Sequence, residues 1–239
     1  MTDTFLGGFL EQIPSPAKER LLCLMRLLEH STREGVITSA QIEALTGWSS
    51  HTVRKDISFL GAATFGSVTE GSVAEGEDMR RLPESGRVGT SGGYEPGVLI
   101  SQIKRALGLE KRRKFCVVGL GRLGSAYLNV ADFQNSEFEL AAGFDTNVNR
   151  TEILKSPAPL YPAYKMGEVI GRFGIEIALL CVPVEAAQAA AERLAAAGIR
   201  GILNFAPTVI TVPPGIAVRN VYLTDELRAL SIKIATDIA

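Results

Sequence analysis

The stretch that decides the fold is FCVVGLGRLGSAYLNV, residues 115–130. The apolar run at its start predicts a buried β-strand, the glycines at 119, 121 and 124 follow the spacing G-x-G-x-x-G, and the remainder predicts a helix. Gly119 suits the tight turn, Gly121 lets the backbone approach a pyrophosphate, and Gly124 lets the helix pack on the strand. The helix N-terminus offers free N–H groups to the anion. The stretch therefore predicts a doubly wound α/β domain that holds a dinucleotide.

A second strand and an acidic residue follow at the distance that such a fold requires. Residues 138–144 predict the strand, and Asp145 comes directly after it, about 20 residues beyond the last glycine. A carboxylate there can accept hydrogen bonds from both ribose hydroxyls and would repel a 2′-phosphate, which favours NAD(H) over NADP(H). The alternative is the same fold with an empty or vestigial site, but glycines at all three places have little packing reason without a ligand.

The rest of the C-terminal half alternates between apolar strand candidates and helix candidates. Strands are predicted at 175–182, 201–205 and 216–221, and helices at 166–172, at 184–197 and after a cap at Thr224. Such alternation predicts a parallel sheet covered by helices on both faces.

The N-terminal quarter has helical periodicity throughout. An amphipathic helix is predicted at 17–30, and two short helices at about 38–45 and 49–60 are separated by Gly47, a pattern typical of a helix-turn-helix. In the second short helix, Val53 and Ile57 are predicted to face inward. The candidate DNA contacts on its other faces are Ser50, His51, Thr52, Arg54, Lys55 and Ser58. The alternative is a small helical subdomain with a solvated charged face. Residues 61–97 are rich in glycine and predict a flexible or hairpin-like segment, and a further helix is predicted from Val98 to about Gly108.

Composition limits the function classes. The 239 residues include 46% hydrophobic and 21% charged residues, which suits two folded domains, and the net charge of −1 means that DNA contact must come from a local patch. No long apolar run occurs, so neither a signal peptide nor a membrane span is expected and the protein is predicted to be cytoplasmic. Cys23, Cys116 and Cys181 are predicted to be reduced core residues. His30 and His51 have no ligand set beside them, so no metal site is expected.

An enzyme would need additional features. Few residues follow the last predicted strand, which leaves no room for a separate substrate domain, and neither histidine lies in the nucleotide half to act as an acid or base. An NAD-dependent oxidoreductase is therefore the weaker hypothesis, and no catalytic residue is predicted. A helix-turn-helix joined to an NAD site favours a regulator whose affinity for DNA changes with the cofactor.

Six blocks of sequence, taken in order, resemble the Rex family of bacterial redox-sensing transcriptional repressors over about residues 13–232. They are IPSPAKERL (13–21), TVRKDISFLG (52–61), GLGRLGSAYLN (119–129), FDTN (144–147), CVPVEAAQAAAERLAAAGIRGILNFAP (181–207) and VRNVYLTDELRALS (218–231). Several independent blocks in one order are far more specific than any single motif.

The resemblance implies a winged-helix DNA-binding domain at 1–95, a Rossmann-like NAD(H)-binding domain at 96–222, and a helix at 223–239 that is swapped between the subunits of a homodimer. It implies that NADH closes the dimer and releases a near-palindromic, double-stranded operator. Arg54 and Lys55 match the DNA-reading pair. The implied cofactor contacts are Gly119, Leu120, Gly121, Arg122, Leu123, Gly124, Asp145, Val182, Pro183, Asn204, Phe205, Ala206 and Pro207.

Two positions and one segment depart from the family pattern. Val130 stands where family members carry a tyrosine, Tyr222 stands where they carry an aspartate, and the wing, here 61–94, is much longer than usual. In the family the tyrosine and the aspartate form a polar network with an arginine, matched here by Arg26, that changes with the state of the nicotinamide. We therefore expect NADH and NAD⁺ to differ less in their effects here than in typical members. Two alternatives remain: a repressor that holds NAD(H) only structurally, and a network in which Tyr222 and Arg26 restore the switch.

Overall fold

The computed structural model describes residues 10, 12–30, 35–65, 93–131, 133 and 136–237. The chain forms two compact units, residues 1–111 and 112–239, each with its own apolar core. Most of the predicted wing, residues 66–92, lies outside the described residues. No described helix is both long and apolar enough to cross a membrane.

The first unit consists of packed helices. Their bounds are Ser15–Glu29 (α1), Ser39–Thr46 (α2), Ser50–Phe65 (α3) and Pro96–Ala106 (α4). Thr38 and Gln41 cap α2 reciprocally, the Thr38 hydroxyl accepting from the Gln41 N–H at 3.2 Å and the Gln41 side chain accepting from the Thr38 N–H at 2.8 Å. Gly47 ends α2 in the left-handed conformation, at φ +75°. The predicted helix-turn-helix is therefore present, with α3 extending five residues beyond the predicted end.

The buried faces of these helices are the ones that periodicity predicted. The core of the unit takes Leu21, Leu24, Met25 and Leu28 from α1 and Val53, Ile57 and Leu60 from α3. One expectation was wrong: Cys23 is exposed, because it lies on the solvent side of α1 between two buried positions.

The last residue of the predicted wing, Tyr94, pairs with the segment before α2. Ile37 and Tyr94 form an antiparallel bridge with two backbone hydrogen bonds of 2.8 Å. Gly93 is needed beside the bridge, since its φ is +134° and a Cβ there would lie 2.8 Å from the Ile37 carbonyl oxygen.

Helix α4 lies in the first unit, although the sequence placed the domain boundary before it, between residues 95 and 96. Leu99, Ile103 and Ala106 are buried in the same cluster as α1 and α3, and Lys104 pairs with Glu29 of α1 at 2.8 Å. The two units divide instead between Lys111 and Arg112. Burial of its apolar face places α4 in the first unit. The sequence shows that this face is apolar, but not which of the two cores it joins.

The second unit is a six-stranded parallel sheet with strand order β3-β2-β1-β4-β5-β6. The strands are Arg113–Val118 (β1), Phe138–Asp145 (β2), Leu160–Pro162 (β3), Ile177–Leu180 (β4), Gly201–Asn204 (β5) and Ala217–Asn220 (β6). The helices are Arg122–Tyr127 (α5), Val148–Ile153 (α6), Met166–Phe173 (α7), Val184–Ala196 (α8) and Leu223–Asp237 (α9). The predicted doubly wound sheet is thus confirmed. Strand β3 was missed, because three residues, the last of them a proline, are too few to show a period.

Alternate residues of β1 pack into two different apolar clusters, one on each face of the sheet. Cys116 and Val118 pack into a cluster with α7 and α8, whereas Phe115 and Val117 pack into a cluster with Leu128 at the end of α5. The sheet is therefore covered on both faces, as the alternation of strand and helix candidates predicted. The last helix begins at Leu223, so Thr224 lies inside it rather than at its cap.

Candidate cofactor site and nucleic-acid interface

Two of the three glycines in the turn after β1 are required by the packing of the protein itself. Gly119 has φ +90°, and a Cβ there would lie 2.7 Å from the Cys181 carbonyl oxygen. A Cβ at Gly124 would lie 1.9 Å from the Gly119 carbonyl oxygen, so α5 can sit against the turn only without a side chain at that position. These contacts bring β1, α5 and the end of β4 together at one edge of the sheet.

The third glycine has no such packing reason. Gly121 has φ −68°, which any residue adopts, and no described atom lies within 4 Å of where its Cβ would be. The space beside it is open, and it adjoins the first turn of α5, whose N–H groups have no acceptor within the helix. Open space next to free donors fits a pyrophosphate, which needs close backbone approach and several N–H donors.

Asp145 connects the end of β2 to the glycine turn. Its side chain is 5% exposed, and its carboxylate accepts from the Leu120 N–H at 2.7 Å and from the Asn147 N–H at 2.7 Å. The Arg150 guanidinium lies 3.4 Å from the same group. A carboxylate can accept about four hydrogen bonds, so acceptor capacity remains for ribose hydroxyls. The Leu120 N–H is consequently already engaged by a protein acceptor.

The opposite side of the predicted site is formed by the ends of β4 and β5. Val182 and Phe205 are half-buried, while Pro183 and Pro207 are exposed. Asn204 is fully buried, and its amide is used inside the protein. It donates to the Thr208 carbonyl at 2.8 Å and to Asn220 at 2.9 Å, and it accepts from the Ala206 N–H at 3.0 Å. Asn204 therefore shapes the loop after β5, in which Ala206 is buried as well, so that Phe205 and Pro207 supply the accessible surface.

The thiols of this unit are poor nucleophiles. Burial raises the pKa of Cys181 to about 12 and that of Cys116 well above its ordinary value. Both remain protonated near neutral pH, and a thiol attacks only as the thiolate. Within the described part of the chain, no group of three His, Cys, Asp or Glu side chains could hold a metal ion.

The second predicted site lies on α3, and the structure sorts its six candidate residues into two groups. His51, Arg54, Lys55 and Ser58 are all exposed, and their spacing places them on one side of the helix. We call these four residues the α3 stripe. Ser50 and Thr52 are half-buried and point elsewhere: Ser50 bonds to Glu43, and Thr52 to Ser49 at 2.9 Å. Helix α3 thus presents a polar, positively charged face opposite its buried apolar one.

Three contacts that sequence reasoning missed hold α3 in place. Glu43 of α2 accepts from the Ser50 N–H at 3.0 Å and from its hydroxyl, which lowers the pKa of Glu43. Arg54 donates to the Ser39 hydroxyl at 3.1 Å. Asp56, buried on the inner face, receives two hydrogen bonds from Arg20 of α1, at 2.6 and 2.9 Å. Each of these contacts joins residues of different helices. Such pairs leave no pattern in the local sequence and become apparent only in the fold.

The two positions that depart from the family pattern both lie in the second unit. Val130 is half-buried just after α5. Tyr222 donates its hydroxyl to the Thr208 carbonyl at 2.8 Å, the same oxygen that Asn204 bonds. The hydrogen bond of Tyr222 thus connects the loop after β5 to the end of β6.

Two family models match the chain, one in each unit. Residues 12–58 match the family described as "Putative DNA-binding protein N-terminus", and residues 110–208 match the "CoA binding domain" family.

Curated relatives match nearly the whole chain. The redox-sensing transcriptional repressor Rex of Thermus thermophilus is 37% identical over 93% of this chain and 94% of its own length. Rex of Carboxydothermus hydrogenoformans is 33% identical over 97% of this chain and 100% of its own length.

Solved structures of RSP, a Rex-family repressor, have the same fold. The complex of RSP with β-NAD⁺ and operator DNA matches with a TM-score of 0.74 and 26% identity, covering 94% of each chain. The complex of RSP with β-NADH matches with a TM-score of 0.75 and 25% identity, covering 95% of this chain and 96% of RSP.

Proposed function

Because the chain belongs to the Rex family of redox-sensing transcriptional repressors, we propose that it represses transcription by binding operator DNA and that NAD(H) changes its affinity for that DNA. One observation carries the proposal: the same chain has a polar stripe on the second helix of a helix-turn-helix and open space at Gly121 beside free helix donors. The RSP structures with operator DNA and with both cofactor forms support the pairing of these two activities.

The test is a fluorescence anisotropy titration of the purified protein on a duplex enriched by the protein from a randomised library. Weaker DNA binding with NADH than with NAD⁺ is the expected result. Equal DNA binding in both forms, with NADH nevertheless bound, would favour a purely structural cofactor. Coenzyme A is the control ligand. It should bind more weakly than NAD(H), because its 3′-phosphate would lie beside the Asp145 carboxylate and be repelled.

We assign direct DNA contact to the α3 stripe. Arg54→Ala should weaken operator binding by about 1–3 kcal/mol if the guanidinium reads a base, and Lys55→Ala should lower the salt slope by about one if its ammonium meets a phosphate. Lys165→Ala, which removes an exposed cation from the second unit, is the matched control. Unchanged operator affinity in both stripe variants would refute the assignment.

We propose that α9 is the swapped helix of a homodimer. Leu223, Leu227, Leu230 and Ile234 recur along one side of the helix and are each at least half exposed, from 53% to 74%. An apolar stripe of this kind is typical of a face that a second chain covers. Leu227→Glu should yield monomers in sedimentation at micromolar concentration, whereas Ala229→Glu, on the opposite side, should not. A dimer that survives Leu227→Glu would count against the swap.

We also propose that the cofactor is sensed rather than consumed, and that the protein acts in the cytoplasm, where bacterial operators lie. The protonated thiols of Cys116 and Cys181 support the first point, because they offer no nucleophile at the site. Incubation with NAD⁺ and mixed alcohols and hydroxy acids should produce no NADH. Sustained NADH formation that follows protein concentration would favour the oxidoreductase alternative.

A further inference from the structure

The orientation of a dinucleotide in the second unit follows from the strand order. Ligands of doubly wound sheets bind at the carboxyl edge where the strand order reverses, here between β1 and β4. The pyrophosphate belongs at the glycine turn and the adenosine ribose beside Asp145, at the end of β2. The nicotinamide half therefore extends the other way, over the ends of β4 and β5.

Tyr127 lies on that side, at the last position of α5. Its ring packs against the ring of Phe205 with centroids 5.1 Å apart and planes inclined by 37°. Phe205 is held at the end of β5 by its N–H, which donates to the Leu180 carbonyl at 2.9 Å. Tyr127 is thus placed by two elements, α5 and the end of β5, three residues beyond the last glycine of the turn.

The environment of Tyr127 is partly enclosed and apolar. The ring is half-buried and packs on the same cluster as Cys181 and Leu203. Burial raises the pKa of the phenol, and the Cys181 sulfur nearby acts in the same direction, so the phenol is neutral. Among the described residues its hydroxyl has no hydrogen-bond partner. A half-buried aromatic ring with a free hydroxyl therefore lies on the side that the nicotinamide would occupy.

We propose that Tyr127 contacts the nicotinamide and helps to distinguish NAD⁺ from NADH; this inference rests on the proposed binding of NAD(H). The oxidised nicotinamide ring carries a positive charge and the reduced ring does not. An aromatic face attracts a cation by about 0.5–2 kcal/mol, depending on desolvation, and adds only packing for a neutral ring. Tyr127 should consequently favour the oxidised form.

The test measures dissociation constants for NADH and NAD⁺ by calorimetry on the full-length protein. Tyr127→Leu should weaken NAD⁺ binding by about 3- to 10-fold while changing NADH binding by less than about 2-fold. Tyr127→Phe, which retains the aromatic face, should keep the wild-type ratio. Tyr164→Leu is the matched control, since Tyr164 is 78% exposed outside the site. Tyr127→Met replaces the leucine variant if that variant fails to fold.

The outcomes separate this inference from the function on which it rests. A wild-type protein that binds neither cofactor refutes the proposed function and this inference with it. A wild-type protein that binds both, with a Tyr127→Leu variant of unchanged affinities, refutes the role of Tyr127 alone. Equal weakening of both forms would also refute it, because discrimination requires the two affinities to change by different factors.

Discussion

Removal of Arg20 should destabilise the first unit. Arg20 donates two hydrogen bonds to Asp56, whose side chain is 7% exposed, so Arg20→Met would leave a carboxylate buried on α3 without its cation. Breaking a fully buried pair in this way costs about 3–5 kcal/mol. Because the Arg20 side chain is 29% exposed, solvent replaces part of the interaction, and we expect a loss of about 2–3 kcal/mol in the free energy of unfolding.

Trp48 provides the assay. It is the only tryptophan of the chain and lines the same cavity as Arg20, so its fluorescence during urea unfolding reports on the first unit. The double variant Arg20→Met, Asp56→Leu should regain most of the loss, because no unpaired charge remains. Arg26→Met is the control, because it removes an exposed cation from the same helix, and such surface substitutions usually change stability by no more than about 0.5 kcal/mol.

Two results would refute this reasoning. One is an Arg20→Met variant whose unfolding free energy lies within about 0.5 kcal/mol of the wild type, which is the range of an ordinary surface substitution. The other is a double variant as unstable as the single one, since the cost would then come from lost packing of the arginine stem and not from the stranded carboxylate.

Three further predictions concern the second unit. Asp145→Ala should narrow the preference for NAD(H) over NADP(H), because it removes the repulsive charge and frees Arg150 for a 2′-phosphate; calorimetry showing equal affinities in the wild type would contradict this. Gly121→Ala should lower NADH affinity without changing the melting temperature, because space is open at that position. Gly124→Ala should lower the melting temperature, because its Cβ would lie 1.9 Å from a backbone oxygen. Equal melting temperatures of the two variants would contradict the packing. Tyr222 has no carboxylate and cannot form the charged hydrogen bond of the aspartate in family members, which would contribute about 1.5–3 kcal/mol. The effects of NADH and NAD⁺ on operator affinity should therefore differ less than in typical members. Release of DNA by low-micromolar NADH but not by millimolar NAD⁺ would contradict this prediction.

The second unit could be predicted largely from the sequence because its signals are local. Each long strand is an apolar run, and the turn after β1 needs glycine for reasons that act within a few residues. The same locality explains the two short elements near residues 150 and 160 that were missed: α6 and β3 contain too few residues to show a period. The end of α3 was placed too early for a related reason, since the glycine at 61 predicted a stop that the helix does not make.

Contacts between distant residues could not be predicted in the same way. The sequence assigned α4 to the wrong core, because an amphipathic helix shows which face is buried but not against what. The burial of Asp56 on α3 was not predicted, because it becomes apparent only when α1 brings Arg20 to it. Likewise, the sequence did not show that the Asn204 amide holds the loop after β5, because its partners Thr208 and Asn220 come together only in the fold.

The position of β1 in the middle of the sheet has a consequence for the order of folding. Phe115 pairs with Leu140 on one side and with Ile177 on the other, so completing the sheet requires closure of a chain segment of roughly 60 residues. The helices of the first unit have an apolar core of their own, and domains synthesised first generally fold first on the ribosome. A nascent chain that stalls before β4 would therefore already display the α3 stripe while lacking half of the cofactor edge. Such a fragment would present the stripe that we propose contacts DNA, but it would lack a complete site for the cofactor that we propose regulates it.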